Sequence, residues 1–208
     1  MQKRDIDFLF EMGSLRFINR AWRQFLGADF ANLAEHTLRV IWISLAIAKN
    51  EKGVDLNKIL KMALVHDIGE SRTGDVDYVS RQYTERKESQ AVSDILKDTS
   101  VEEDFPAIWA EYEERKTLEA KIVKDADNLD VELELVEQGT RGNPMPKKWY
   151  KMRNAVARQK LFVTKTGKKL YSNILKSDPD HWHLSAPNRF NAGDYALKKP
   201  KSSKPESK

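Results

Sequence analysis

The sequence predicts an all-α protein. Apolar residues recur at intervals of three and four along most of the chain, which is the spacing of one helix face, and no segment shows the strict alternation of a half-buried strand. The length of 208 residues favours one domain. We expect that domain to cover residues 1–197, with its core at about 8–138 and a basic helical region at 141–197, followed by a disordered basic tail at 198–208.

Composition excludes several classes of protein. The chain has no cysteine, which rules out disulfides, thiolate metal ligands and a cysteine nucleophile. Its first residues lack the layout of a signal peptide, and its longest apolar run, residues 40–48, is far shorter than the roughly 20 residues of a membrane span. We therefore expect a soluble, cytoplasmic protein with no membrane contact.

Apolar spacing in the first half of the chain predicts two helices, and the second helix carries a histidine on its apolar face. Residues 5–26 repeat apolar positions at helical spacing, and residues 32–52 form a second segment that ends at Gly53. His36 precedes Val40 by one turn on the apolar stripe of the second helix. We therefore expect His36 to point inward.

A third helix is predicted to end beside a His-Asp pair. Asp55 is a candidate N-cap for a helix over residues 56–66, and His66 and Asp67 stand at its end. Residues 68–83 contain two glycines and little periodicity, which predicts a loop with at most a turn of helix. A further helix is predicted over residues 84–97.

A long central helix is predicted next. Ser100 and Glu103 have the spacing of a capping box, and the apolar pattern continues to Gln138. Apolar residues cover more than one face of this segment, which is typical of a helix in the middle of a domain. Asp125 and Asp127 both lie inside the apolar stretch. Residues 147–177 are basic and are expected to be mostly helical.

The inward-facing polar groups are candidates for a metal site. Two imidazoles, of His36 and His66, and two carboxylates, of Asp67 and one aspartate of the central helix, would be costly to bury without a counter-charge. A mixed nitrogen and oxygen set suits Mn, Fe, Co, Ni or Zn better than Ca or Mg. A buried hydrogen-bonded network without a metal is the alternative. Periodicity does not choose between Asp125 and Asp127.

The order His, His-Asp, distant Asp resembles the HD-domain superfamily of metal-dependent phosphohydrolases. Four segments resemble its small nucleotidase branch, which includes bacterial 5'-deoxynucleotidases: INRAW (18–22), LAEHTLRV (33–40), ALVHDIGESRTGD (63–75) and EAKIVKDADNLD (119–130). The resemblance as a whole covers roughly residues 8–138. The resemblance implies an HD-domain helical bundle, a nucleotide substrate, one divalent metal and a homodimer.

The resemblance also assigns roles to individual residues. It implies metal ligation by His36, His66, Asp67 and Asp127, with Asp125 and Asp130 as supporting groups. It implies that Arg20 binds the substrate phosphate, for which a guanidinium is suited. It further implies that Glu70 and Asp75 are catalytic acids beside the metal, and that Trp22 contacts the sugar.

Departures from the family pattern limit these implications. After Thr73-Gly74-Asp75 the chain reads VDYV in place of a continuation that contains proline, so the nucleotide preference is open. Glu70 is followed by Ser71 and not by an acid, which argues against alarmone hydrolases. Histidine is absent between Asp67 and Asp127, which argues against binuclear phosphodiesterases.

The resulting hypothesis is hydrolysis of nucleoside 5'-monophosphates, and two alternatives remain. One keeps the site and makes the enzyme a dNTP triphosphohydrolase or a phosphodiesterase. The other is a non-catalytic protein that binds nucleic acid or an acidic partner through residues 141–177, which contain eleven Lys or Arg and no acid. His181 and His183 are expected on one face of an extended segment, where they pack the C-terminal region or bind a metal.

Overall fold

The structure is a computed structural model that describes residues 2–27, 29–156 and 161–185. These residues form helices and no β-strand, and one isolated antiparallel bridge joins Asn19 and Asn32. The prediction of an all-α fold is confirmed. The α-helices are α1 (Asp5–Ser14), α2 (Arg23–Leu26), α3 (Leu33–Ala48), α4 (Leu56–Val65), α5 (Glu70–Thr73), α6 (Glu88–Leu96), α7 (Phe105–Glu114), α8 (Leu118–Thr140), α9 (Met145–Val156), α10 (Lys165–Ile174) and α11 (His181–Leu184).

Polar caps begin the helices at the centre of the fold. Asn32 and Glu35 form a capping box at α3, in which each side chain accepts the backbone N–H of the other residue. Asp55 accepts the backbone N–H of Lys58, so the predicted N-cap of α4 is confirmed. Thr117 caps α8 in the same way. These contacts satisfy N–H groups that have no partner within the first turn of a helix.

The prediction of one helix over residues 5–26 is wrong. Helix α1 ends at Ser14, and Ile18 is extended, with φ −97° and ψ 111°. Backbone pairing takes over here, because the N–H of Leu33 bonds to the carbonyl of Ile18 and the N–H of Arg20 to the carbonyl of Ala31. Arg20 therefore lies on an extended segment held against the start of α3.

The prediction of one helix from Ser100 to Gln138 is also wrong. Helix α7 ends at Glu114, the next residue, Arg115, has a left-handed backbone with φ 55°, and α8 starts anew after Thr117. Ser100 does not form a capping box, because its N–H and its hydroxyl both bond to the carboxylate of Asp5. The break separates a surface helix from the central one.

The core forms around α3 and α8, which pack against each other, with α4, α7 and α10 around them. Helix α8 buries apolar side chains on several faces, among them Ile122, Leu129 and Leu135, so its predicted central position is confirmed. Each fully buried Leu or Ile contributes roughly 2 kcal/mol. This packing fixes the polar residues of α3 and α8 relative to one another.

Of the two remaining helical predictions, residues 84–97 contain α6, and residues 147–177 contain most of α9 and all of α10.

The chain divides into two compact units, Met1–Lys176 and Ser177–Lys208. In the second unit His181 and His183 lie in α11, so the prediction of an extended segment is wrong; the backbone turns into a helix after Asp180. Among the described helices, none is long and apolar enough to cross a membrane. The predicted tail at 198–208 lies outside the described residues, and the domain limit at residue 197 stays a prediction.

Candidate metal centre

Three helices bring the four predicted ligands together. His36 lies one turn into α3, His66 and Asp67 follow the last residue of α4, and Asp127 lies on α8. Both histidines are buried, and both aspartates line a cavity. Because α3 packs against both α4 and α8, the core itself sets the spacing of these side chains.

The candidate ligand atoms face one small volume. The Nε2 atoms of His36 and His66 lie 3.2 Å apart. Asp67 Oδ2 lies 3.3 Å from His36 Nε2 and 3.2 Å from His66 Nε2. Asp127 Oδ1 lies 3.4 Å from His36 Nε2. Ligand atoms of His36, His66 and Asp67 all lie within 4.8 Å of one another.

The outer nitrogens of the two rings indicate which nitrogen is free to bind a cation. His36 Nδ1 lies 2.6 Å from Asp130 Oδ2, and His66 Nδ1 lies 2.8 Å from the carbonyl of Ala63. Both oxygens are acceptors, so each Nδ1 carries the proton and each Nε2 keeps a lone pair. Two such lone pairs 3.2 Å apart repel unless a positive charge, either a proton or a metal ion, lies between them. The donor set therefore fits a divalent transition metal.

Electrostatics also favour positive charge at this point. Burial and Arg20 oppose the charging of His36, but hydrogen bonds to Asp127, Asp130 and Asp67 outweigh them and hold the pKa of His36 well above its ordinary value. Burial raises the pKa of Asp67, but the two histidines outweigh burial and hold this pKa well below its ordinary value. A buried site that charges an imidazole and keeps its carboxylates ionised is suited to a cation.

Asp130 supports His36 from behind. Its side chain is buried, with Oδ2 on His36 Nδ1 and Oδ1 at 3.1 Å from Arg39 Nε. A carboxylate on the far nitrogen of a ligating histidine fixes the ring and makes it a stronger donor. The expected supporting position of Asp130 thus agrees with the geometry.

Asp125 has different partners. Its carboxylate accepts the backbone N–H groups of Val163 and Thr164 and the hydroxyl of Thr164, at 2.7–2.9 Å, where α10 begins. It makes no contact with the two histidines in the described structure. The expectation that Asp125 supports the metal site is not borne out by this geometry, because the side chain points to the other side of α8.

Arg20 lies between the acids of the site. Its Nη1 is 3.2 Å from Asp67 Oδ2 and 3.5 Å from Asp75 Oδ2, and its Nη2 is 3.9 Å from Asp127 Oδ1. Burial opposes its charge, but these three carboxylates outweigh burial and raise the pKa of Arg20. The guanidinium lines a cavity of about 370 Å³ that also contains His66, Asp67 and Asp127. A fixed, buried cation beside a cavity can bind an anion.

Glu70 and Asp75 lie on the wall of the same cavity. Glu70 opens α5, and its Oε2 is buried without a hydrogen-bond partner among the described residues. Burial, followed by repulsion from Asp67 and Asp75, raises the pKa of Glu70 to about 10. Asp75 Oδ2 accepts the N–H of Ala21 at 2.9 Å, which ties the extended segment of Arg20 to this loop.

The sequence analysis did not predict two other residues that line the cavity, Lys124 and Tyr112. Lys124 Nζ lies 2.6 Å from Asp127 Oδ2, and the Tyr112 hydroxyl reaches the same oxygen at 3.5 Å. The Lys124–Asp127 spacing of three residues on a helix was the one available signal. Trp22 lines the cavity as expected, and its ring also packs edge-on against Trp149, with centroids 4.6 Å apart.

This chain is similar in sequence to curated 5'-deoxynucleotidases. The 5'-deoxynucleotidase HDDC2 of Dictyostelium discoideum is 29% identical over 175 residues, which cover 78% of this chain and 88% of that protein. The 5'-deoxynucleotidase hdd1 of Schizosaccharomyces pombe is 30% identical over 121 residues, or 54% of this chain and 60% of that protein.

A solved structure shares the fold. A conserved hypothetical protein from Pyrococcus furiosus superposes with a TM-score of 0.69 and 26% identity, and the match covers 83% of this chain and all of that protein. The family model described as HD domain matches residues 12–168, about three quarters of the sequence. The match includes the two histidines and both aspartates of the candidate centre, and the chain therefore belongs to the HD-domain family.

Proposed function

We propose that this protein is a metal-dependent phosphohydrolase that removes the 5'-phosphate from deoxynucleoside monophosphates. Membership of the HD-domain family and the likeness to two 5'-deoxynucleotidases support the proposal. One observation carries it: two imidazole Nε2 atoms and two carboxylates converge beside a buried arginine at a cavity of about 370 Å³. Cavities of this size hold small-molecule substrates.

The proposed metal ligands are His36, His66, Asp67 and Asp127. The donor chemistry suits one ion of Mn, Fe, Co, Ni or Zn. When bound, the metal supplies Lewis acidity and positive charge at the phosphate. Asp130 and the Ala63 carbonyl hold the two rings so that both Nε2 atoms face the shared volume.

Arg20 is proposed to bind the phosphate. Its two terminal nitrogens match two phosphate oxygens in a fork, and they stabilise the negative charge that the transition state spreads over those oxygens. The site holds the guanidinium before substrate arrives, through the carboxylates of Asp67 and Asp75 and through the backbone bond between Arg20 and Ala31. A side chain already held in place loses little freedom when the phosphate binds.

Glu70 and Asp75 are proposed to orient the attacking water. Glu70 Oε2, which has no hydrogen-bond partner among the described residues, is available to hydrogen-bond this water. The charge of a bound divalent metal would favour the ionised form of Glu70, and that form could take the proton that the water loses. Asp75 lines the same cavity and, through the N–H of Ala21, also keeps Arg20 in position. Water held between the two carboxylates would attack phosphorus in line with the leaving sugar oxygen.

Phosphate release tests the proposal. Purified protein with Mn²⁺ or Co²⁺ is expected to release inorganic phosphate from at least one dNMP, and His66→Ala and Asp67→Ala are expected to lose this activity. His183→Ala is the matched control, because His183 is an exposed histidine that is not among the proposed ligands. Full activity in either site variant would overturn the proposal.

Product analysis separates the alternatives. Triphosphate released from a dNTP identifies a triphosphohydrolase, and a nucleotide released from a diester identifies a phosphodiesterase. The cytoplasmic location and the homodimer remain predictions. Fractionation of cells tests the first, and light scattering of the purified protein tests the second.

A further inference from the structure

The loop that follows Asp75 departs from the family pattern and lines the cavity. Residues 76–79 read VDYV, and Val76, Asp77 and Tyr78 all contribute to the cavity wall. Tyr78 keeps 47% of its surface exposed. A large aromatic side chain that lines a polar cavity and stays half-open has surface available for a ligand.

Three aromatic rings support Tyr78 from the protein side. Its ring centroid lies 5.1 Å from that of Phe25, 6.4 Å from that of Trp22 and 6.5 Å from that of Trp149. Contacts at these distances between tilted rings are favourable. They hold the Tyr78 ring in one orientation without covering it.

The backbone around Tyr78 is also fixed. Asp77 accepts the N–H groups of Val79 and Ser80, at 2.8 and 3.0 Å, and the Ser80 hydroxyl at 2.6 Å. Arg81 Nε donates to the carbonyl of Val76 at 2.7 Å. These bonds close a tight turn directly after Tyr78, so the ring is in place before any ligand arrives.

Contacts connect Tyr78 with the charged part of the cavity. Arg20 lies beside Asp67 and Asp127 of the candidate centre, and the ring of Trp22, two residues later in the chain, neighbours that of Tyr78. Arg20, Trp22 and Tyr78 all line the same cavity, so a single ligand can meet both the charged groups and the aromatic rings.

We propose that Tyr78 is a stacking platform for the nucleobase of the substrate and so determines how strongly the enzyme distinguishes a nucleotide from a plain sugar phosphate. This inference rests on the proposed function. Every base has a π-face, so stacking favours all four deoxynucleotides over a substrate without a base. Purines gain more than pyrimidines because they present a larger ring surface.

Kinetics with and without a base test this assignment. The substrates are dAMP and the methyl glycoside of deoxyribose 5-phosphate, assayed with Mn²⁺. Tyr78→Ala is expected to lower kcat/KM for dAMP about 10-fold, within the range for loss of one base–aromatic stack. For the abasic substrate kcat/KM is expected to stay within about 2-fold. Tyr78→Phe, which keeps the ring, is expected to behave like the wild type.

A control variant and two possible outcomes show how the inference could be refuted. Tyr83→Ala is the matched control, because Tyr83 is exposed and does not line the described cavity. Equal losses on both substrates in Tyr78→Ala would mean that the ring only supports the loop, and would overturn the inference alone. A wild-type enzyme that releases phosphate from neither substrate would overturn the proposed function, and the inference with it.

Discussion

The two sides of α8 stabilise buried negative charge in different ways. On one side Asp125 accepts two backbone N–H groups and a hydroxyl at the start of α10. On the other side Asp127, two residues later, faces His36, Arg20 and Lys124. Backbone donors anchor one segment to another, whereas side-chain cations and an imidazole beside a cavity leave a carboxylate oxygen able to change partners. The first arrangement holds structure, and the second can do chemistry.

The pKa directions agree with this difference. Burial raises the pKa of Asp125 in spite of its hydrogen bonds. Burial also acts on Asp127, but Lys124 and His36 outweigh it and hold the pKa of Asp127 well below its ordinary value. A carboxylate kept ionised in a buried, polar cavity is a candidate functional group. The comparison therefore predicts a role in activity for Asp127 and a role in stability for Asp125.

Asp127→Asn is expected to give the largest effect. The amide keeps the shape of the side chain but removes the charge that faces His36 Nε2, so kcat/KM for dNMP hydrolysis should fall by more than about 100-fold, beyond the usual effect of a group that only supports a ligand. Metal content, measured on the purified variant, should fall with it. Circular dichroism should show a folded protein. An Asp127→Asn enzyme with normal activity would remove the functional half of the comparison.

Asp125→Ala is expected to lower the stability of the protein and to leave its activity nearly unchanged. It leaves three donors at Val163 and Thr164 without their acceptor, and the free energy of unfolding in urea should fall by about 3 kcal/mol. Folded protein should keep kcat/KM within a few-fold. Gly167→Ala should weaken the same anchor by about 1–3 kcal/mol, because an added methyl group collides with Asp125 Oδ2. Loss of activity in folded Asp125→Ala would contradict the separation of roles.

The fold was predictable where local signals decide it. The capping residues and the apolar stripes of α3 and α4 lie within each segment, and both helices form close to the expected bounds. The two wrong helix predictions have a common cause, which is contact with residues distant in the sequence. Ile18 pairs with the backbone before α3, and Ser100 bonds to Asp5. A pattern of spacing within one segment carries no information about such partners.

The candidate site was predictable only in part. The inward face of α3 predicted a buried His36, but periodicity left Asp125 and Asp127 equivalent, and only the family resemblance favoured Asp127. The structure separates them because α8 packs between α3 and α10, so residues two apart meet different neighbours. Lys124 and Tyr112 reach Asp127 through the same tertiary packing.

Asp130→Asn removes the carboxylate that supports His36 and leaves all four proposed metal ligands in place. Asparagine loses the charge that holds the proton on His36 Nδ1, so His36 Nε2 becomes a weaker donor. The affinity for Mn²⁺, measured by calorimetry, should fall about 10- to 100-fold. Asp125→Asn is the matched control on the same helix. Equal affinities in the two variants would mean that Asp130 serves the fold alone.

Glu134 extends the comparison one turn along α8, with a smaller expected effect. Its Oε1 accepts the N–H of Ala31 at 2.6 Å, and its Oε2 is buried without a hydrogen-bond partner among the described residues. Burial, opposed by that hydrogen bond, raises the pKa of Glu134 from 4.5 to about 7. The folded protein therefore holds this proton more tightly than the unfolded chain does. Stability from the protonated form is complete below pH 4.5 and is lost as the pH rises through 7.

Glu134→Gln should remove this loss, because the amide stays neutral and can still accept from Ala31. Thermal and urea unfolding across the pH range should give equal stabilities below pH 4.5 and a variant more stable by about 3 kcal/mol near pH 8. Glu137→Gln is the control, since Glu137 lies on the same helix and is only partly buried, against Arg39. Parallel curves for wild type and Glu134→Gln would show that water reaches this carboxylate. Glu134, which accepts one N–H group, would then be no more sensitive to pH than Asp125, which accepts from three donors.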